Sequence, residues 1–145
     1  MFTNILCPVD FSEDSERALA AALALARSTN GHVTLVTVVD PLLSAGAAAA
    51  GADEALDDQT QQALRNLLER AAPGLPAGST AAVAVRVGTP VEEILRQADE
   101  SNADVIVMGM RGIGGAQKLL LGSTSARVLA KSVVPVLVVP PLSRR

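Results

Sequence analysis

Short runs of β-branched residues alternate along the chain with longer runs in which apolar side chains recur every three to four positions. Such a pattern predicts a parallel sheet whose strands are joined by crossover helices. Asn4 to Val9 reads as the first strand, His32 to Val39 as the second, closed by Asp40-Pro41, and Thr80 to Val87 as the third. Ala103 to Met108 is an apolar run without polar alternation, as expected of a central strand covered on both faces. Val133 to Val139 completes five strands. Pro135 and Pro140 place it at a sheet edge, because proline donates no ladder hydrogen bond.

Four helices fill the gaps. Ser12 can cap the first, with Glu13, Asp14 and Glu16 at the positive end of its dipole. Ala18, Leu19, Ala22, Leu23 and Ala26 form its buried stripe, and Gly31 is the expected left-handed stop. A second helix near Asp53 to Ala72 aligns Leu56, Thr60, Ala63, Leu64, Leu67 and Leu68, and Pro73-Gly74 ends it. Thr89-Pro90-Val91-Glu92 has the composition of a capping box with proline at the first helical position. The helix it opens buries Val91, Ile94, Leu95 and Ala98. The last helix begins near Gly122-Ser123 and carries Val128 and Leu129. Between the second strand and second helix, Leu42 to Ala52 is mostly Ala, Gly and Ser, and is expected to be a mobile surface loop. Right-handed crossovers make a five-stranded doubly wound sheet the economical solution, with residues 1–145 as one domain.

Composition narrows the function. Apolar residues make up 49% of the 145 and aromatic ones 1%, Phe2 and Phe11 alone. Without aromatic faces for bases to stack on, and with a net charge of −3, nucleic acid is not the expected partner. Cys7 is the only cysteine, which excludes an internal disulfide and fits a reducing compartment. The N-terminus lacks the basic and long apolar segments of a signal peptide, and no apolar run approaches the ~18 residues of a membrane span. A cytoplasmic location is expected.

In doubly wound sheets, ligands bind beyond the carboxyl ends of the strands where the strand order reverses. Two distinctive features end strands here: Pro8-Val9-Asp10 after the first, and the glycine-rich segment from Gly109 after the fourth. Gly109 and Gly112 allow backbone N–H groups to approach oxygens closely. Gly122-Ser123-Thr124 opens a helix, where free N–H groups and the dipole favour phosphate. Arg111 and Lys118 add positive charge. A flexible loop followed by an ordinary helix start is the plainer reading of the same residues. A Walker loop is absent, because Gln117 precedes Lys118. A dinucleotide fingerprint is absent too, because Asp10-Phe11-Ser12-Glu13-Asp14 is acidic and has no glycine.

Gly109-x2-Gly112-x9-Gly122-Ser123 resembles the nucleotide signature of the universal stress protein family. The similarity covers nearly the whole chain: Ile5-Leu6-Cys7-Pro8-Val9-Asp10, Thr37-Val38-Val39-Asp40, Gly88-Thr89-Pro90 with Ile94, Ala103 to Gly109, and Pro135-Val136-Leu137-Val138-Val139. The resemblance implies a three-layer fold with sheet order 3-2-1-4-5. It also implies a homodimer through the last strand (Val136, Leu137, Val138 and Val139), and ATP in the crevice of members that keep the signature. Carried over by position, Asp10 with Pro8 and Val9 would meet the adenosine, and Val38 would line the adenine pocket. Met108, Gly109, Arg111 and Gly112 would follow the ribose and phosphates. Gly122, Ser123, Thr124 and Ser125 would close around the triphosphate, whose oxygens would hold Mg2+.

Single residues bear on the mechanism. Asp10 either caps the turn after the first strand or faces a ligand. His32 opens a strand far from the glycine segment and is expected to be structural or solvent-facing, and Cys7 is expected to be buried. Ser123 has no nearby histidine and no Gly-x-Ser-x-Gly elbow, so it fits a phosphate donor better than a nucleophile. Asp53, Glu54, Asp57 and Asp58 form a solvated acidic helix start rather than a metal site. The segment offers binding groups without a base to activate an attacking group, so hydrolysis is expected to be slow and metal-dependent at most. The expected role is regulatory, through loop order in ATP-loaded and empty states. The competing reading is a dimeric interaction module of the same fold that binds no nucleotide. A phosphoacceptor receiver is excluded, because Val85-Arg86-Val87-Gly88 has no aspartate at the end of the third strand.

Overall fold

The computed structural model describes residues 2–41, 53–71, 73, 79–111 and 121–141. Five strands, β1 (Asn4–Pro8), β2 (His32–Val39), β3 (Thr80–Val87), β4 (Val105–Gly109) and β5 (Val136–Val139), form one sheet in the order β3-β2-β1-β4-β5. Every neighbouring pair is parallel. The described helices are α1 (Glu13–Thr29), α2 (Asp53–Ala71), α3 (Pro90–Glu100) and α4 (Ser123–Lys131). The fold class and strand order expected from the sequence are those observed.

Period-two alternation distributes each strand between two cores, because successive side chains leave a strand on opposite faces. Ile5, Cys7, Val9, Val33, Leu35, Val105 and Val107 pack with the α1 stripe of Ala18, Leu19, Ala22, Leu23 and Ala26 and with Leu64 and Leu67 of α2. Leu6, Val36, Ile106 and Met108 pack on the other face with Val91, Ile94 and Ala98 of α3 and Val128 of α4. The central strands are buried on both sides, which is why β4 reads as an unbroken apolar run.

Several local expectations are corrected. The left-handed stop of α1 is Asn30, at φ 52°, and not Gly31. Gly31 is required for space: a Cβ there would lie 2.7 Å from the Thr3 carbonyl oxygen. Thr89 occupies the N-cap of α3, but its side chain makes no capping hydrogen bond. Ala63 is exposed, so the buried stripe of α2 narrows to Leu64 and Leu67, with Leu68 half-buried. The Leu56 side chain and the Leu42 to Ala52 segment fall outside the described residues. Leu129 is exposed on α4. β4 begins at Val105 and β5 at Val136, each two or three residues later than the apolar runs suggest.

No described helix is long and apolar enough to cross a membrane.

Candidate functional site

β1 and β4 are direct neighbours, with Ile5 opposite Val105 and Leu6 opposite Ile106. The strand order reverses between them: the chain runs outward from β1 to β3 on one side and from β4 to β5 on the other. All strands point the same way, so Pro8-Val9-Asp10 and Met108-Gly109-Met110-Arg111 leave the sheet side by side. This is where ligands of doubly wound sheets are held.

The first wall is a tight turn into α1. Pro8 and Val9 are buried, and the Val9 N–H donates to the Val36 carbonyl at 2.8 Å, which extends the β1 ladder one residue past the strand. Asp10 is half-buried. Its Oδ1 accepts the Ser12 N–H at 3.0 Å, and its own N–H donates to Ser15 Oγ at 3.3 Å. The turn-capping role of Asp10 is therefore present. Phe11, between them, has φ 65° and is 42% exposed. Left-handed backbone at a bulky residue stores on the order of 1–3 kcal/mol, a kind of strain concentrated at functional sites. No sequence pattern signals it, because such turns usually use glycine or asparagine. Ser12 then caps α1 by accepting the Ser15 N–H at 3.2 Å.

The second wall is the end of β4. Met108 and Gly109 are buried, and a Cβ on Gly109 would lie 2.8 Å from the Asp14 carbonyl carbon. Glycine at 109 thus lets β4 approach the first turn of α1 at backbone distance. The next residues are pinned on three sides. The Met110 N–H donates to Val139 at 3.1 Å, its carbonyl accepts the Gly122 N–H at 2.7 Å, and the Ser125 hydroxyl donates to the Gly109 carbonyl at 2.8 Å. The two halves of the spaced glycine signature therefore meet in space, although Gly112 and Lys118 fall outside the described residues.

Gly122 is the N-cap of α4 and contributes no side-chain cap. The first turn of α4 contains no acidic residue, in contrast to α1 and α3. First-turn N–H groups have no acceptor within a helix, so this end favours an anion by both hydrogen bonding and dipole. Ser123 is exposed and Thr124 half-buried, whereas the Ser125 side chain is buried and committed to Gly109. Val38, half-buried near the end of β2, packs at the edge of the core on the α3 and α4 face.

Asp14 forms two ion pairs at the site, and its part was not visible in the sequence. Its carboxylate, 7% exposed, pairs with Arg17 and with Arg111, whose Nε lies 3.0 Å from Oδ2. Spacing on α1 explains the Arg17 pair. The Arg111 pair joins residues 97 apart and follows only from the β1–β4 pairing. His32 is far off, at the opposite end of β2, with Nδ1 2.5 Å from Thr80 Oγ1. Cys7 is fully buried, and burial pushes its thiol up to about 12. Among the described residues no group of three His, Cys, Asp or Glu side chains is placed to hold a metal ion.

The sequence profile of the universal stress protein family matches residues 1–140. A universal stress protein of Thermus aquaticus, from the QAH/OAS sulfhydrylase 3′ region, is 34% identical over 96% of this chain and 99% of its own. Among solved structures, MJ0577 of Methanocaldococcus jannaschii superposes with a TM-score of 0.83 at 30% identity, covering 99% of both chains. A universal stress protein solved in complex with cAMP superposes with a TM-score of 0.71 at 29% identity, covering 95% of this chain and 97% of that one.

Proposed function

The chain belongs to the universal stress protein family, and on that premise we propose that it binds an adenine nucleotide, ATP, in the crevice between the ends of β1 and β4. The observation that carries this reading is the 2.7 Å hydrogen bond from the Gly122 N–H to the Met110 carbonyl. It closes the spaced signature at the switch point of the sheet. The cAMP complex of a relative supports an adenine ligand for this fold.

In this reading Pro8, Val9 and Asp10 meet the adenosine and Val38 lines the base pocket. Met108, Gly109, Arg111 and Gly112 follow the ribose and phosphates. Gly122, Ser123 and Thr124 receive the triphosphate; the phosphate role expected of the Ser125 side chain gives way to a structural one, because it is buried and its hydroxyl donates to the Gly109 carbonyl. The donor set fits an anion: a helix start without a side-chain cap or acidic residues, and two neighbouring hydroxyls. Mg2+ would be held through the phosphates, since the described side chains offer no cluster for it.

Binding energy is directed at holding the nucleotide. Ser125 spends its hydroxyl on the Gly109 carbonyl, and Asp10 spends one carboxylate oxygen on the Ser12 N–H. Neither is set up as a base for an attacking water. The role that follows is regulatory, through a nucleotide-dependent conformational state. We place it in the cytoplasm, as a single domain that dimerises through β5, where Leu137 is 46% exposed on an edge strand. Nucleotide extracted from freshly purified protein tests the reading: ATP or ADP near one equivalent per chain is expected. Protein that carries no adenine nucleotide and takes up none on addition leaves the alternative, a dimeric interaction module.

A further inference from the structure

Resting on that nucleotide reading, we propose that Asp14 and Arg111 form a latch that clips the start of the glycine segment to α1. Arg111 is then a positioning residue acting through Asp14, and not a cation delivered to phosphate.

Three donors of Arg111 converge on the one carboxylate. The backbone N–H reaches Oδ2 at 3.2 Å, Nε reaches Oδ2 at 3.0 Å, and one terminal nitrogen reaches Oδ1 at 3.4 Å. An arginine that serves phosphate needs only its guanidinium. Here the main chain of residue 111 is bound as well, so the carboxylate fixes where the chain goes after β4. The side chain presents its Nε edge to Asp14, the planar fork geometry that lysine cannot reproduce. Asp14 is 7% and Arg111 21% exposed, so water competes weakly for either.

The surroundings are built around the same contact. Two residues earlier, Gly109 brings β4 within backbone distance of Asp14 itself. Between them Met110 is tied to Val139 and Gly122. Every residue from 109 to 111 is thus fixed. On the other side Asp14 is oriented by Arg17, and α1 is capped by the turn that contains Asp10. The latch therefore connects the wall proposed for adenosine to the segment proposed for phosphates.

The two roles for Arg111 give opposite signs for Asp14→Asn. If Arg111 served phosphate, neutralising Asp14 would release the guanidinium and ATP affinity would hold or rise. As a latch, Asp14→Asn lowers ATP affinity about tenfold, and Arg111→Gln and the charge-conserving Arg111→Lys lower it comparably. The double variant Asp14→Asn/Arg111→Gln falls no more than about threefold below either single variant, because both break one unit. Calorimetric titration with ATP at temperatures where each variant is folded measures this. Unchanged or tighter binding by Asp14→Asn overturns the proposal, as does wild-type affinity in variants that are merely less stable. Urea unfolding of the same four proteins decides the latch without ligand: coupling of at least about fivefold in the unfolding constant supports it, and additivity overturns it. Should the wild type bind no adenine nucleotide, the nucleotide reading fails, and the urea cycle still decides whether the latch exists.

Discussion

Gly109 owes its identity to crowding, and this gives it two duties at once. A side chain there would meet the Asp14 backbone, which has no rotamer by which to yield. Gly109→Val is expected to cost about 1–3 kcal/mol by urea unfolding, the usual range for overpacking, and to displace Arg111 from Asp14. Cys7 illustrates the reverse case, a reactive residue type made inert by place. Fully buried and with its thiol raised to about 12, it should resist a disulfide reagent in the native protein and react at once in denaturant. Rapid native reaction would contradict the described packing. Burial of Cys7 and the cap by Ser12 were legible in the sequence, because both follow from neighbours in the chain. The Asp14–Arg111 pair and the left-handed Phe11 were not, since the first depends on which strands are adjacent and the second on a turn that the residue type disfavours.

On β3 and α3 a second charge network ties strand to helix. Arg86 donates to Glu93 at 2.9 Å, to Gln97 at 2.9 Å and to Glu100 at 2.7 Å, while Arg96 also pairs with Glu93. Gly88, at φ 151°, turns the chain between them where a Cβ would press on the Glu93 side chain. Hydrogen bonding from Arg86 holds both glutamates below the usual carboxylate range. A carboxyl whose folded value is lowered stabilises the fold above its unfolded value and loses that contribution as pH falls through the folded one. The stability difference between wild type and Arg86→Met should therefore be largest near neutral pH and shrink below about pH 4. A difference independent of pH from 7 to 3 would show that Arg86 acts by packing alone. The element boundaries of β2 and β3 were legible to the residue from their β-branched runs. β4 and β5 were started too early, at Ala103 and Val133, because apolar residues precede the paired backbone, and β4 runs one residue further than expected, to Gly109. Asn30 displaced Gly31 as the left-handed stop because asparagine tolerates that conformation and Gly31 is needed against Thr3.

Across the whole molecule, the parallel sheet was readable from the strict alternation of strand and helix, and strand order then determines where chemistry can occur. Placing β4 beside β1 brings together segments about 100 residues apart and creates the crevice. One flank ends in β5, an edge strand that leaves Leu137 exposed, with Val133 exposed in the turn before it. In the proposed dimer, Leu137→Lys should lower the association constant about tenfold or more by sedimentation, since a buried apolar contact is replaced by a charge. Equal association of variant and wild type would move the dimer interface elsewhere. In the proposed function the two halves of the glycine signature act as one nucleotide site. Calorimetric titration of ATP into wild type and Gly122→Leu tests this most directly. Saturable binding near one ATP per chain that is abolished by Gly122→Leu, with the variant still folded, is the result expected; absent binding by the wild type, or equal binding by both, would contradict it.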